Sequence, residues 1–323
     1  MPELRESGAA SPLTTPLPIV LGPTGSGKSA LAISLALAVG GEIVNCDSLQ
    51  VYRGFDVGTA KTPEPERRGV PHHLIDLADP GQLFTAGDYS EQARAALREI
   101  RARKRIPIVV GGTGFYLRVL LEGLFSGPSQ DASIRERLKK KGPARLHRLL
   151  TRLDEQASKR IHPNDTNKII RALEVRLIEG KPVSELFLKG RNRLTGFQAI
   201  KIGLNPPRKL LYQRLDARCA GMFQRGLTEE VRELLRQGVA RAAKPFESIG
   251  YKQALAVLEK RMTMEQALES TRKDTRHYAK RQMTWFRKEV GVLWLEGFGE
   301  DPAIEAQATK LLKEQMTTNV GEI

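Results

Sequence analysis

Short apolar runs that stop at Gly, Asp or Asn alternate along this chain with segments whose apolar residues recur every three or four positions. Residues 18–21, 42–46, 73–77, 108–110 and 199–204 have the first character and read as strands, with 292–295 as a last candidate. Residues 28–39 and 88–104 have the second character, and in the latter Tyr89, Ala93, Ala96, Leu97 and Ile100 share one helical face. Strands separated by helices in this way predict an α/β fold, a mostly parallel sheet flanked by helices. From about residue 126 to 197 the strand runs stop, the pattern turns helical, and Gly142-Pro143, His162-Pro163 and Gly180-Lys181-Pro182 mark breaks. The expected organisation is a core of residues 16–125 and 198–315, interrupted by an all-helical insertion at 126–197, with residues 1–15 and the last few disordered.

Charge adds a partner class to this picture. The 323 residues hold 52 Lys+Arg against 37 Asp+Glu, a net +15, and the insertion alone has 17 basic and 8 acidic residues, which is +9. A second concentration at 271–288 sets Arg272, Lys273, Arg276, Lys280, Arg281, Arg287 and Lys288 against Asp274. One such run is as often a solvated face as a binding face; two in one chain point to a polyanion, with nucleic acid the natural class. No stretch reaches the roughly 18 consecutive apolar residues of a membrane span, and residues 1–15 lack the apolar centre of a secretory signal, so a cytoplasmic protein without membrane contact is expected. Cys46 and Cys219 are too few for a disulfide framework or a zinc site, and His72, His73 and His162, each in a likely turn, read as turn and core residues.

The candidate chemistry begins at Gly22-Pro23-Thr24-Gly25-Ser26-Gly27-Lys28-Ser29, which fits the phosphate-loop pattern G-x-x-x-x-G-K-[ST] between the first strand and the first helix. Glycines let backbone N–H groups turn around phosphate oxygens, Lys28 adds a charge, Ser29 can place its hydroxyl on Mg²⁺, and the helix N-terminus favours an anion. A diphosphate is expected there. The loop alone does not separate an ATPase, a kinase and an enzyme using another diphosphate. In ordinary nucleotide hydrolases a further strand ends in an Asp that holds Mg²⁺, yet residues 106–110 lead into Gly111-Gly112-Thr113-Gly114. An acid follows the second strand instead, Asp47, whose position suits a ligand-facing carboxylate and a turn cap equally well.

Beyond these features the chain resembles the tRNA dimethylallyltransferase (tRNA isopentenyltransferase) family over nearly its whole length. The resemblance rests on residues 22–29, on Asp47-Ser48-Leu49-Gln50-Val51-Tyr52-Arg53-Gly54 with Gly58-Thr59-Ala60-Lys61, on Pro71-His72-His73-Leu74-Ile75-Asp76, and on Gly111-Gly112-Thr113. It continues through Ile161-His162-Pro163-Asn164-Asp165, Arg171-Ala172-Leu173-Glu174-Val175, Ser248-Ile249-Gly250-Tyr251-Lys252-Gln253 and the stretch from Ala279 to Arg287. It implies transfer of a dimethylallyl group from dimethylallyl diphosphate to the exocyclic amine of the adenosine 3′ of the anticodon, in tRNAs reading codons that start with U.

The same resemblance implies roles. Asp47 would be the general base, Arg218 a further cation on the leaving diphosphate, and Thr113 a hydrogen-bond partner of the reacting adenosine; without it Arg218 reads as a surface arginine and Thr113 as a helix N-cap. Ser48, Leu49 and Gln50 would line the path of the flipped base, while Arg135, Arg171 and the Lys280-Arg281-Gln282 stretch would face the anticodon stem-loop. Asn167-Lys168 stands where the family usually has Gln-Arg, which keeps the charge and loses the planar fork. Mg²⁺ is the expected cofactor and a monomer the expected state. The rival readings are a P-loop small-molecule kinase, an adenylate isopentenyltransferase acting on free nucleotide, and an RNA-binding protein with an idle phosphate loop.

Overall fold

A computed structural model describes residues 14–124, 127–188 and 190–318. These fall into two compact units, the first made of the described residues up to Leu120 and from Thr195 onward, the second of those between Leu121 and Leu194, the boundary falling in the last turn of the helix that ends at Glu122. The first unit runs β1 (Thr15–Leu21), α1 (Lys28–Val39), β2 (Gly41–Asn45), β3 (His72–His73), α2 (Ala86–Ala102), β4 (Ile106–Val110) and α3 (Gly114–Glu122). The second holds α4 (Ala132–Lys139), α5 (Pro143–Leu153), α6 (Glu155–Arg160), α7 (Thr166–Glu179) and α8 (Val183–Leu188). The chain then returns to the first unit as β5 (Phe197–Leu204), α9 (Arg208–Gln224), α10 (Leu227–Arg236), α11 (Tyr251–Leu258), α12 (Met264–Phe286), β6 (Val292–Leu295) and α13 (Pro302–Thr318).

The α/β sheet has six strands in the order β3-β2-β4-β1-β5-β6, each neighbouring pair parallel. Parallel strands covered by helices are buried on both faces, which is why they read as continuous apolar runs. The chain leaves β1 toward β2 on one side and fills β5 on the other, so the phosphate loop opens at a switch point on the carboxyl edge. Helix α1 is apolar almost all round because it packs against β2, β4 and α13, burying Leu31, Ala32, Ile33, Leu35 and Ala36. Helix α2 buries Tyr89, Ala93, Ala96, Leu97 and Ile100, the face its periodicity predicts, and starts at a capping box between Thr85 and Asp88.

Three expectations from the sequence need correction. The run at 73–77 yields a strand of two residues, because Leu74 and Asp76 take left-handed φ values of 63° and 55°. That backbone is held by Asn45 Nδ2 donating to the Leu74 carbonyl (3.1 Å) and by the Asp76 amide donating to Gln50 O (3.2 Å). Thr15 is not part of a disordered tail: it pairs with Phe197 at the start of the β1–β5 ladder. Phe197 therefore belongs to the sheet and not to the insertion; residues 1–13 and 319–323, where disorder is expected, lie outside the described residues.

The helical unit has its own core, built around Leu146, Leu150, Ile169, Leu173 and Val175. Two buried acids organise it. Asp154 caps α6 through Ala157 N–H (2.9 Å) and reaches α8 through Ser184 N–H (2.9 Å). Glu174, 0% exposed, accepts from Arg135 Nε (2.9 Å), Arg171 Nη1 (2.7 Å) and the Asp131 amide (2.7 Å). Among the described residues no helix is long and apolar enough to cross a membrane, both cysteines are free and buried, and no group of three His, Cys, Asp or Glu side chains is placed to hold a metal.

Candidate active site

The phosphate loop takes its shape from glycine. Gly25 and Gly27 have φ of 78° and 86°, and a Cβ on them would stand 2.7 Å from Leu215 Cδ2 and 2.2 Å from Glu300 Oε2. Gly27 is the N-cap of α1 and provides no side-chain cap, and the first turn of α1 contains no acid. The amides of Gly25, Gly27, Lys28 and Ser29 accordingly have no protein acceptor among the described residues, the arrangement that suits an anion. Lys28 Nζ donates to the Pro23 carbonyl at 2.7 Å, within the same loop.

Asp47 reaches this loop through the strand ends. Cys46 N–H donates to Val110 O (2.7 Å) and Thr113 N–H to Cys46 O (3.2 Å), and Gly111 permits the approach, since a Cβ there would lie 2.1 Å from Cys46 O. Asp47 Oδ1 accepts from the amides of Leu49 (2.9 Å) and Gln50 (3.4 Å), so it does cap the turn that follows, while Oδ2 makes no protein hydrogen bond among the described residues. The turn cap and the ligand-facing carboxylate are thus compatible, one oxygen for each. Thr113 does not cap its own helix with its hydroxyl; Oγ1 accepts the Ser48 amide at 3.1 Å and so steadies the residue after Asp47.

A cavity of about 700 Å³ joins these parts, lined by Thr24, Gly25, Gly27, Lys28, Ser29, Asp47, Gln50, Gly111, Gly112 and Arg218. Ile33, Ile43, Val57, Ala60, Ile75 and Val110 give it an apolar side. Gly22, Pro23, Ser26, Ser48, Leu49 and Thr113 shape the loop and turns behind its wall and are not on the lining. Burial and the neighbouring Arg218 push the Lys28 ammonium down to about 7, against the opposing pull of Asp47 and Glu300. Burial also lowers Arg218, as do Arg214 and Arg225, and an arginine so placed stays charged.

Several lining residues lie beyond those the sequence points to. Arg214 and Arg225 flank the expected Arg218 at intervals of four and seven along α9 and its C-cap, a helical spacing that could have revealed them. Arg214 grips Glu300 with two hydrogen bonds (2.6 and 3.1 Å), and nothing near Glu300 in sequence announces that contact. Tyr278 comes from α12, its phenol pushed up by burial and by Asp47. The segment 56–58 on the cavity wall is held by Glu230, whose Oε2 accepts from Asp56 N–H (3.2 Å) and Val57 N–H (2.8 Å), and by Tyr251, whose hydroxyl donates to Glu230 Oε1 (2.5 Å) and accepts from Gly58 N–H (3.1 Å).

The residues expected to face RNA divide. Lys280 and Arg281 are exposed and line a cationic groove of about 490 Å³ with Arg118, His277, Trp285 and Lys288, where the Arg118 guanidinium sits 4.4 Å from the Trp285 ring centre. Gln282 turns the other way and is only 6% exposed, with Thr24 N–H donating to Oε1 (2.8 Å) and Nε2 donating to Gly112 O (2.9 Å). Arg135 and Arg171 are half-buried partners of Glu174, and Lys168 pairs back onto Asp165 (2.5 Å) beside the exposed Asn167. The histidines have local partners: His73 pairs with Glu42 (2.7 Å), His72 Nδ1 lies 2.8 Å from Val70 O, and His162 Nδ1 accepts the Asn164 amide (3.2 Å).

Residues 50–289 match the family model described as IPP transferase. A protein of Solibacter usitatus named tRNA dimethylallyltransferase is 55% identical over 91% of this chain and 96% of its own length, and one of Koribacter versatilis with the same name is 51% identical over 91% and 97%. A full-length tRNA isopentenylpyrophosphate transferase from Bacillus halodurans superposes with TM-score 0.69 at 34% identity, covering 94% of this chain and 99% of that one. A eukaryotic dimethylallyltransferase described as acting on tRNA superposes with TM-score 0.82 at 28% identity, covering 95% and 80%.

Proposed function

The chain belongs to the IPP transferase family, and on that premise we propose how its residues divide the work of moving a dimethylallyl group onto tRNA. It is a tRNA dimethylallyltransferase, a prenyl-transferring enzyme. The donor is dimethylallyl diphosphate. Its diphosphate lies in the loop Gly22–Ser29 against the uncapped amides of α1, with Lys28 and Arg218 taking up the charge that develops as it leaves. The apolar lining residues receive the prenyl chain, and Arg214 and Arg225 add further positive charge beside Arg218.

The acceptor is the exocyclic amine of the adenosine 3′ of the anticodon, flipped from its stack into the cavity. That amine is a weak nucleophile because its lone pair is shared with the ring. As the new C–N bond forms and the allylic C–O bond breaks, the nitrogen becomes acidic and its proton passes to Asp47 Oδ2, the carboxylate oxygen with no protein partner. Ser29, whose hydroxyl lines the cavity at the start of α1 beside the phosphate loop, would hold a Mg²⁺ ion there. When bound, the ion neutralises charge on the leaving group. Lys280, Arg281 and the helical unit, with Asn167, Lys168 and the outward edges of Arg135 and Arg171, contact the anticodon stem-loop, and the enzyme acts as a cytoplasmic monomer.

The observation that carries this reading is that Lys28, Ser29, Asp47 and Arg218 line one cavity at the carboxyl edge of the sheet. Incubating the protein with labelled dimethylallyl diphosphate and bulk tRNA, followed by nucleoside analysis, is expected to give labelled isopentenyladenosine and one diphosphate per transfer. Phosphate release from ATP without prenyl transfer would instead establish a kinase, and prenylation of AMP as fast as tRNA would change the acceptor.

A further inference from the structure

Helix α12 has two faces with different business, and the buried one joins the two halves of the proposed reaction. Gln282 is an amide, with one accepting and one donating end, and it spans from a donor in the phosphate loop, Thr24 N–H, to an acceptor at the end of β4, Gly112 O. Reversed, it would set N–H against N–H and oxygen against oxygen, so the bridge has one polarity. Two glycines let the helix come this close. A Cβ on Gly112 would stand 2.2 Å from Gln282 Nε2, and one on Gly114 would stand 2.3 Å from Trp285, the residue three positions along the same helix. The side chain is 6% exposed and lies at the cavity lining, and truncating it strands a buried acceptor, Gly112 O, and a part-buried donor, Thr24 N–H.

We propose that Gln282 is a positioning residue for prenyl transfer: it fixes the spacing between the loop that holds the donor diphosphate and the strand end beside which the acceptor amine is presented. This rests on the reading of the site given above. Transfer needs the amine nitrogen, the allylic carbon and the leaving oxygen close to a line, and a shift of about 1 Å in one partner costs about a hundredfold in rate. An ordinary packing residue would affect the fold or substrate affinity without changing what the allylic carbon reacts with. A residue that sets the trajectory changes that choice, because a displaced amine leaves room for water. Water then attacks the allylic carbon, the C–O bond to diphosphate breaks, and dimethylallyl alcohol, diphosphate and a proton are released.

The test compares wild type with Gln282→Met, which keeps the volume and loses both hydrogen bonds, and with Gly112→Ala, which displaces the amide from the other side. Four quantities are measured: melting temperature, tRNA affinity by filter binding, kcat at saturating substrates, and diphosphate released per prenyl group transferred. For both variants that do fold we expect kcat to drop at least ~10-fold, tRNA affinity to stay within about twofold of wild type, and the release ratio to rise above one. The double variant should be no worse than the weaker single one, since both remove the same bridge. Independent, multiplying losses in the double variant overturn the proposal, as does an unchanged kcat and release ratio in whichever variant folds. A loss confined to tRNA affinity makes Gln282 an RNA contact instead. If wild type itself transfers nothing, the reading of the site fails and not the role of Gln282.

Discussion

At Lys28, burial and Arg218 both work against the positive charge that a leaving diphosphate needs, and the residue sits down at about 7 until an anion arrives. A diphosphate beside Nζ raises that value again, so at pH 8 binding of the donor should take up about one proton, and at pH 6, where the ammonium is already formed, close to none. Calorimetry in two buffers of different ionisation enthalpy reads this directly; equal heats at pH 8 would show that Lys28 does not meet the phosphate. The sign for stability follows from the same depression. Below about 7 the folded protein carries the full cost of a buried ammonium, and as pH rises from there toward 10.5 it has shed a proton that the unfolded chain still holds, so this group's cost is relieved. Asp47 calls for a different substitution. Asp47→Asn keeps an oxygen to cap Leu49 and Gln50 and removes the base, so kcat should fall by ~10²–10⁴-fold while melting temperature and tRNA affinity hold. A kcat within a few-fold of wild type would return Asp47 to a turn cap alone.

Individual elements owe their placement to buried polar groups that sequence periodicity does not report. In the helical unit, burial pushes the Glu174 carboxyl up and the hydrogen bonds from Arg171 and Arg135 more than reverse it, leaving it below the usual range. Its contribution is present above that usual range and is lost as acid brings the pH down through the lowered value. Glu174→Ala strands two half-buried guanidinium groups and the Asp131 amide and is expected to cost about 3–5 kcal/mol in urea unfolding; a loss under about 1 kcal/mol would mean solvent replaces the carboxylate freely. The family resemblance implies Arg135 and Arg171 as RNA contacts without showing that each is half spent on Glu174: the Arg171 pair is local, three residues along α7, whereas the Arg135 pair forms only when α4 and α7 pack. The segment at 56–58 is similar. The Ser-Ile-Gly-Tyr-Lys-Gln stretch was legible as a motif, and only folding reveals that Tyr251 and Glu230 hold the cavity wall. Tyr251→Phe should raise the donor KM several-fold and cost about 1–3 kcal/mol by leaving Glu230 and Gly58 N–H short of a partner, read from steady-state kinetics and urea unfolding; no change in either would make the clamp incidental.

Across the whole molecule, the +15 charge predicts a steep weakening of tRNA affinity with salt, and a flat response between low and physiological ionic strength would remove the cationic surfaces from the account. What the chain declares in one dimension is what depends on local spacing. The eight-residue loop dictates its own glycine-permitted backbone, apolar runs between helical stretches require a parallel sheet, and the loss of strand pattern after β4 marks a helical insertion. Asp47 could be suspected because the carboxyl ends of such strands are where ligands bind, although position left its role undecided. Long-range pairings decided the rest. Glu300 reaches Arg214 and Gln282 reaches Thr24 across separations of 86 and 258 residues, and β3 is cut short by contacts from Asn45 and Gln50 that override its apolar run. Hydrophobic and helical periodicity is written into neighbouring residues because it acts through the local backbone. A hydrogen bond between distant side chains is not, because its partners are brought together only when sheet and helices have already closed.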